Sequence, residues 1–294
     1  MTRKQIGWTL VGVWLAINII LFAVVGTHAK NNEFQIQNEF QLHNWVHLGV
    51  FSINRAVLYV FLAAVLTAVT MVFVSRRMQA RPNRVQTAVE TIYGVMRDRI
   101  VGDNMDDAMA ARWFPFLGTL FLFIWYSNLL GYLPLPTNSA EKFNLFGAHI
   151  PSFSLYAATA NISVPLVLAL VVFVIFNTLG VRAHGPIGYV KSLVPAGVTG
   201  FAAIPLGILE VISTVMRLLS LTIRLFANIL AGHMIILFFA GGLAVILGLG
   251  FLGWATLPFA LLIYLFELTL IAFLQAFIFA ILAAIYFGGA VSTH

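Results

Sequence analysis

Six stretches of this chain are apolar over a length that can cross a bilayer, and that requirement governs what the chain can fold into. A membrane helix needs about 20 predominantly apolar residues in a row. The stretches cover residues 8–25, 57–74, 114–133 and 162–181, and two more lie within residues 200–290, which are nearly free of charge. Hydrophobic residues make up 61% of the chain and charged ones only 9%. A soluble domain needs about a quarter of its residues charged, so lipid must solvate much of this surface. The expected fold is all-α: five core spans, an N-terminal span or signal peptide, an amphipathic helix on the inner surface, and a long tilted two-helix hairpin at the C-terminus. Two regions follow, residues 1–44 (the N-terminal span or signal peptide with an external segment) and a membrane domain over residues 45–294.

There are no cysteines, which removes disulfides and cysteine-based metal sites or nucleophiles. The net charge is +6. The basic residues sit in short clusters beside the apolar runs, the positive-inside pattern of membrane topology, so no nucleic-acid partner is expected. No phosphate-binding glycine loop, HExxH or GxSxG motif is present. Neither a cofactor nor a metal is expected.

Orientation follows from the loops. Residues 75–84 (SRRMQARPNR) carry four arginines and belong in the cytoplasm. Residues 85–101, with periodic apolar positions between charges, read as an amphipathic helix on the inner surface. Residues 134–160 hold one Lys and one Glu and should lie outside, whereas residues 181–194, with Arg182 and Lys191, return inside. The fifth span then runs outward, the sixth inward, and the C-terminus ends in the cytoplasm. The first apolar stretch, preceded by Arg3 and Lys4, fits a true sixth span or a signal peptide cleaved after Ala29. The last two spans are too long for upright helices: 40 helical residues reach about 60 Å, against a hydrocarbon core of about 30 Å. They are expected to tilt steeply or bend.

Beyond Lys191 the only charged residues are Glu210, Arg217, Arg224 and Glu267. A mid-membrane arginine costs at least about 2.5–3.5 kcal/mol and cannot deprotonate to escape that cost. Glu210, Ser213, Arg217, Ser220, Arg224 and Asn228 recur every three or four residues, which places them within an arc of about 80° on one helix face. His233, nine residues past Arg224, falls on nearly the opposite face. Arg217 is placed to snorkel to the inner interface, and Ser213 and Ser220 can bond backbone carbonyls. Arg224 has apolar sequence well beyond it in both directions and needs a counter-charge or water.

These residues form a recognisable pattern. Residues 220–233, SLTIRLFANILAGH, resemble the signature of subunit a of the F-type ATP synthase, with Arg224, Leu225, Phe226, Ala227, Asn228, Ala231, Gly232 and His233 in its key positions. Gln275, Ala276, Phe277, Ile278 and Phe279, followed by Tyr286, resemble the family's second signature. Ser127, Asn128, Leu129, Leu130 and Gly131 resemble a third block. The likeness covers residues 45–290.

The resemblance implies a stator subunit that provides two proton half-channels and makes no covalent bond itself. It implies partners as well: the ring of c subunits, the b-subunit peripheral stalk and the rest of the F-type complex, in a bacterial plasma membrane. Arg224 would face the rotor and meet its deprotonated carboxylate. Glu210 would belong to the inner half-channel, His233 and Glu267 to the outer one. Ser220 and Asn228 would flank the arginine, Gln275 would sit near it, and Asn128 would line the outer path. Two positions depart from the family pattern. Asn161, in the run Ala160, Asn161, Ile162, Ser163, stands where the family often has an aspartate. Glu267 lies eight residues before Gln275 where seven are expected, a rotation of about 100° on a regular helix. The competing classes are a stand-alone secondary transporter or channel and another proton-driven stator. No repeat relates the two halves, and no proline breaks residues 206–256, features a transporter often shows.

Overall fold

The computed structural model describes residues 9, 12–14, 16, 17, 20, 44–48, 51–77, 84–145, 148–192, 203–247, 249 and 251–291. Five helices are long and apolar enough to cross a membrane: Arg55–Val74, Asp107–Gly131, Ser163–Tyr189, Ile204–Leu247 and Leu252–Val291. Most of the first apolar stretch lies outside the described residues, and those described within it, from Thr9 to Ile20, are helical. The choice between span and signal peptide lies outside them too.

The described chain opens with a hairpin of β1 (Asn44–Leu48) and β2 (Phe51–Asn54). It leads into α1 (Arg55–Arg77), where the Asn54 side chain accepts the Val57 amide at 3.2 Å and caps the helix. Helix α2 (Arg84–Gly94) continues as a wide π-helical turn over Val95–Gly102, close to the amphipathic segment expected there. Helix α3 (Asp107–Gly131) begins seven residues earlier than its apolar run, since its first two turns carry the charges of Asp107 and Arg112. A second hairpin, β3 (Leu135–Leu145) with β4 (Ala148–Ser154), fills the connection to α4 (Ser163–Ser192). The five long apolar helices fit the all-α membrane fold expected from the sequence, and the two short hairpins are additions to its connections. Both lie outside the five apolar helices, where strand pairing satisfies backbone groups that no helix holds.

Helix α4 also departs from expectation. It has a kink at Gly185, whose φ of 71° is open to glycine and strained for other residues, with Pro186 next to it. Beyond the kink the chain folds back. The Tyr189 hydroxyl donates to Asn177 Oδ1 at 2.8 Å, whereas twelve residues of straight helix would separate them by about 18 Å. Gly180 admits the Tyr189 ring, which a β-carbon there would overlap.

Helix α5 (Ala203–Leu237) passes through a wide turn at Phe238–Gly242 into the short α6 (Leu243–Leu247). The chain reverses into α7 (Phe251–Phe266), crosses another wide turn at Glu267–Ile271, and ends in α8 (Ala272–Val291).

The core forms where α3, α4, α5 and α8 meet. Five of the eight buried residues on α8 are alanines: Ala272, Ala276, Ala280, Ala283 and Ala284. They let the backbone approach Leu117, Phe121 and Ile124 of α3, the usual way membrane helices gain packing without a hydrophobic driving force. Gly288 touches the backbone carbonyl of Asn104, which ties α8 to the loop before α3. Helix α1 packs on the end of α3 through Ala56, Tyr59 and Ala63 against Leu130, Tyr156 and Ala158.

Candidate ion-translocation site

Helix α5 divides its two faces as the spacing of its polar residues requires. Leu221, Leu225, Ile229, His233 and Ile236 are buried against the bundle. Ser220, Arg224 and Asn228 are exposed on the other side, among Val215, Met216, Leu219 and Ile223. Among the described residues, none covers the face carrying Arg224. Arg224 donates to Ser220 Oγ at 3.4 Å, and among the described residues it has no carboxylate partner. Asn228 shares its face one turn on.

Two polar groups lie along α5 on either side of Arg224. Glu210 is fourteen residues before it, about 21 Å along the axis. Its carboxylate accepts from Arg217 at 3.1 Å, and the Arg217 guanidinium lies over the ring of Tyr286 on α8 at 5.7 Å. Arg217 thus pairs with Glu210, seven residues and two stripe positions before it.

His233 lies nine residues past Arg224, about 14 Å along the axis, and is fully buried. Its Nδ1 is 2.9 Å from the carbonyl of Ile229 and its Nε2 2.9 Å from the carbonyl of Gly131, at the end of α3. Tyr132, the next residue, lays its ring 4.6 Å from the imidazole and donates its hydroxyl to Glu267 Oε2 at 3.0 Å. Tyr264 donates to the Tyr132 carbonyl at 2.8 Å. A phenol is protonated near neutral pH, so the Tyr132 hydroxyl acts as the donor to this carboxylate. His233 and Glu267 come together at this point. A β-carbon built on Gly232 would lie 2.5 Å from Glu267 Oε2, so the carboxyl group rests where that glycine has no side chain.

The position of Glu267 explains the odd spacing in the sequence. The turn Glu267–Ile271 is π-helical. A π-turn, closed i to i+5 instead of i to i+4, takes up one extra residue. Eight residues through it bring Gln275 to about the place that seven reach on a regular helix. Gln275 is buried on α8, and no hydrogen bond joins it to Arg224 among the described residues.

Asn128 is buried one turn before Tyr132. It donates to the Ala272 carbonyl at 3.3 Å and accepts from the Thr159 hydroxyl at 2.8 Å. Asn161 is not brought to this group. Its side chain accepts the Ser163 amide at 3.0 Å and caps α4. Thr159, two residues earlier, is the side chain that reaches Asn128, a role the sequence reading missed. Tyr132 and Tyr264 were missed as well. The signal for Tyr132 was its spacing of four from Asn128, which puts both on one side of the α3 end.

The ATP synthase A chain family model matches residues 57–288. The chain belongs to this family. It is 35% identical to the ATP synthase subunit a of Maricaulis maris (strain MCS10) over 86% of this chain and 95% of that one. It is 35% identical to the ATP synthase subunit a of Gluconobacter oxydans (strain 621H) over 90% of this chain and 99% of the relative. The ATP synthase subunit a of Rubrobacter xylanophilus, also 35% identical, is matched over 91% of its length. Every polar residue described above falls within the ATP synthase A chain match, from Asn128 to Gln275. Five spanning helices and bacterial relatives make this a multi-pass bacterial membrane protein of that family.

Proposed function

We propose that this chain is the proton-conducting stator subunit of an F-type ATP synthase in a bacterial plasma membrane, with its C-terminus in the cytoplasm. A proton enters from outside through the group formed by His233, Glu267 and Asn128; Asn161 stands apart from the group at the start of α4, two residues past the Thr159 that reaches Asn128. It neutralises a carboxylate on the c-subunit ring. After nearly a full turn of the ring the proton leaves by the inner path at Glu210. Arg224 stands between the two paths, flanked by Ser220 and Asn228 with Gln275 behind. It receives the deprotonated rotor carboxylate and blocks a direct leak. Each proton crossing the membrane releases about 2.3 kcal/mol per 100 mV. The b-subunit stalk holds the chain still while the ring turns, and the steep tilt of α5 and of α7–α8 shapes them to the curved ring.

The observation that supports this reading is the placement of Arg224 on a face of a spanning helix that the other described residues leave uncovered. A permanent charge at that depth is tolerated only against a partner or water, and a ring of carboxylates answers the need.

The test is Arg224→Ala in the assembled enzyme, with ATP-driven acidification followed in inverted vesicles at equal protein levels. Pumping is expected to vanish while the subunit remains inserted. Near-normal pumping would show the reading to be wrong. Running the unmodified enzyme at low and high sodium identifies the coupling ion, and a rate independent of sodium is expected.

A further inference from the structure

We propose that Tyr132 is a positioning residue of the outer path, holding the Glu267 carboxylate in the Gly232 notch beside His233. The inference rests on the stator reading above and adds a residue to it.

Tyr132 and Gly131 together contact both titratable side chains of this group. The Gly131 carbonyl meets His233 Nε2, and the Tyr132 hydroxyl meets Glu267 Oε2. The partners come from α5 and from the turn between α7 and α8, more than 100 residues along the chain. The Tyr132 carbonyl is itself fixed by the Tyr264 hydroxyl, and its ring lies against the imidazole. No hydrogen bond joins His233 directly to Glu267 among the described residues, so their mutual placement depends on what holds each of them.

Glutamate has three rotatable bonds, and fixing it costs side-chain entropy. Glu267 also projects from a π-turn whose neighbours Thr269 and Leu270 are exposed. Without a donor the carboxylate is free to leave the notch. The phenol supplies a donor that stays neutral, so it adds no charge to a route that protons must travel. A small displacement of a reacting group lowers rates steeply, and proton transfer between side chains needs hydrogen-bond distance or one bridging water. The titratable groups around Glu267 are Tyr132 at the end of α3, Tyr264 on α7 and His233 on α5.

The test uses the whole ATP synthase in proteoliposomes, with ATP synthesis driven by an imposed potential and the pH on the two sides varied independently. Tyr132→Phe keeps the ring and removes the donor. It is expected to slow synthesis about tenfold, the worth of one hydrogen bond to a charged group. The dependence on outer pH should shift by about one unit toward alkaline, while the dependence on inner pH stays unchanged. In a Glu267→Gln background the same substitution should add little. A lower rate with neither profile moved, persisting in that background, would mean that Tyr132 only supports the fold, and the proposal fails. Arg224→Ala is run alongside. If it is inactive while Tyr132→Phe matches the unmodified enzyme, the Tyr132 proposal alone falls. If Arg224→Ala works normally, the stator reading falls. Should Tyr132→Phe fail to assemble, Tyr264→Phe carries the test by freeing the Tyr132 carbonyl. A smaller shift confined to outer pH supports the proposal, and unmoved profiles overturn it.

Discussion

Gly232 and Glu267 interlock: the α-carbon of one leaves the space that the carboxyl group of the other fills, with Oε2 2.5 Å from where a β-carbon would stand. The obstructing atoms are the end of a flexible side chain, so Gly232→Ala is expected to fold, at a cost below about 1 kcal/mol if Glu267 swings away. That swing breaks its bond to Tyr132. Pumping should fall several-fold while the amount of assembled subunit and its melting temperature barely change. Measuring pumping and melting on the same preparation checks this, and unchanged pumping would contradict it.

Gly131→Ala should behave in the opposite way. A β-carbon there meets the Ala157 β-carbon and lies 2.7 Å from the Ala157 α-carbon, and backbone cannot swing aside. Overpacking of this kind costs about 1–3 kcal/mol. The variant is expected to melt earlier and assemble poorly. Gly288 and Gly289 give an internal comparison at the end of α8. Gly288→Ala strikes the Asn104 carbonyl and should destabilise, whereas Gly289→Ala has open space and should not. Thermal melts in detergent would separate all three.

Arg224 and Arg217 should differ sharply. The Arg217–Glu210 pair is 41% and 39% exposed at its two side chains. Pairs of that kind contribute about 1 kcal/mol or less, so Arg217→Ala should retain most pumping. Arg224→Lys should fail even though it keeps a positive charge. A desolvated lysine can lose its proton and lacks the planar guanidinium. Pumping in inverted vesicles at equal protein levels checks the order, and a more severe defect in Arg217→Ala would reverse the assignment.

The π-turn makes a less ordinary prediction. Leu270 is exposed within it. Deleting Leu270 should close the turn to regular α-helix and leave Glu267 and Gln275 on their faces, with a substantial fraction of pumping retained. Leu265 is equally exposed but precedes Glu267 on α7. Its deletion turns the preceding helix by about 100° and carries Tyr264 away from Tyr132. That variant should be inactive. Equal activity of the two deletions would contradict the reading.

The spans and the two-sided character of α5 were legible in the sequence, because a charge in lipid is costly enough to stand out within a largely apolar span of 44 residues. His233 lies opposite Arg224 as their spacing of nine required. What stayed hidden depends on contacts between distant segments. Nothing near Tyr132 in the chain announces Glu267, and nothing near Gly232 announces that its missing side chain is needed. The fold-back of α4 could have been suspected from Gly185 beside Pro186, a pair that ends helices. The family pattern places Asn161 as a channel position. Its place two residues before Ser163 is also that of a helix cap, and capping is what it does. The hairpins had no periodic signature strong enough to compete with the apolar runs.

The turn at Glu267 bears on how this family's chains are aligned. Counting back seven residues from Gln275 reaches Leu268, so an ungapped column would record an apolar residue where the spacing implied by the family resemblance expects a titratable one. Such a chain would look as though it had lost half of its outer pair. In space nothing is lost, because the extra residue bulges out of the helix and the carboxylate keeps its address. Residues in this stretch correspond by the direction they face, and a gap in an alignment here marks a change in helical pitch rather than a missing function.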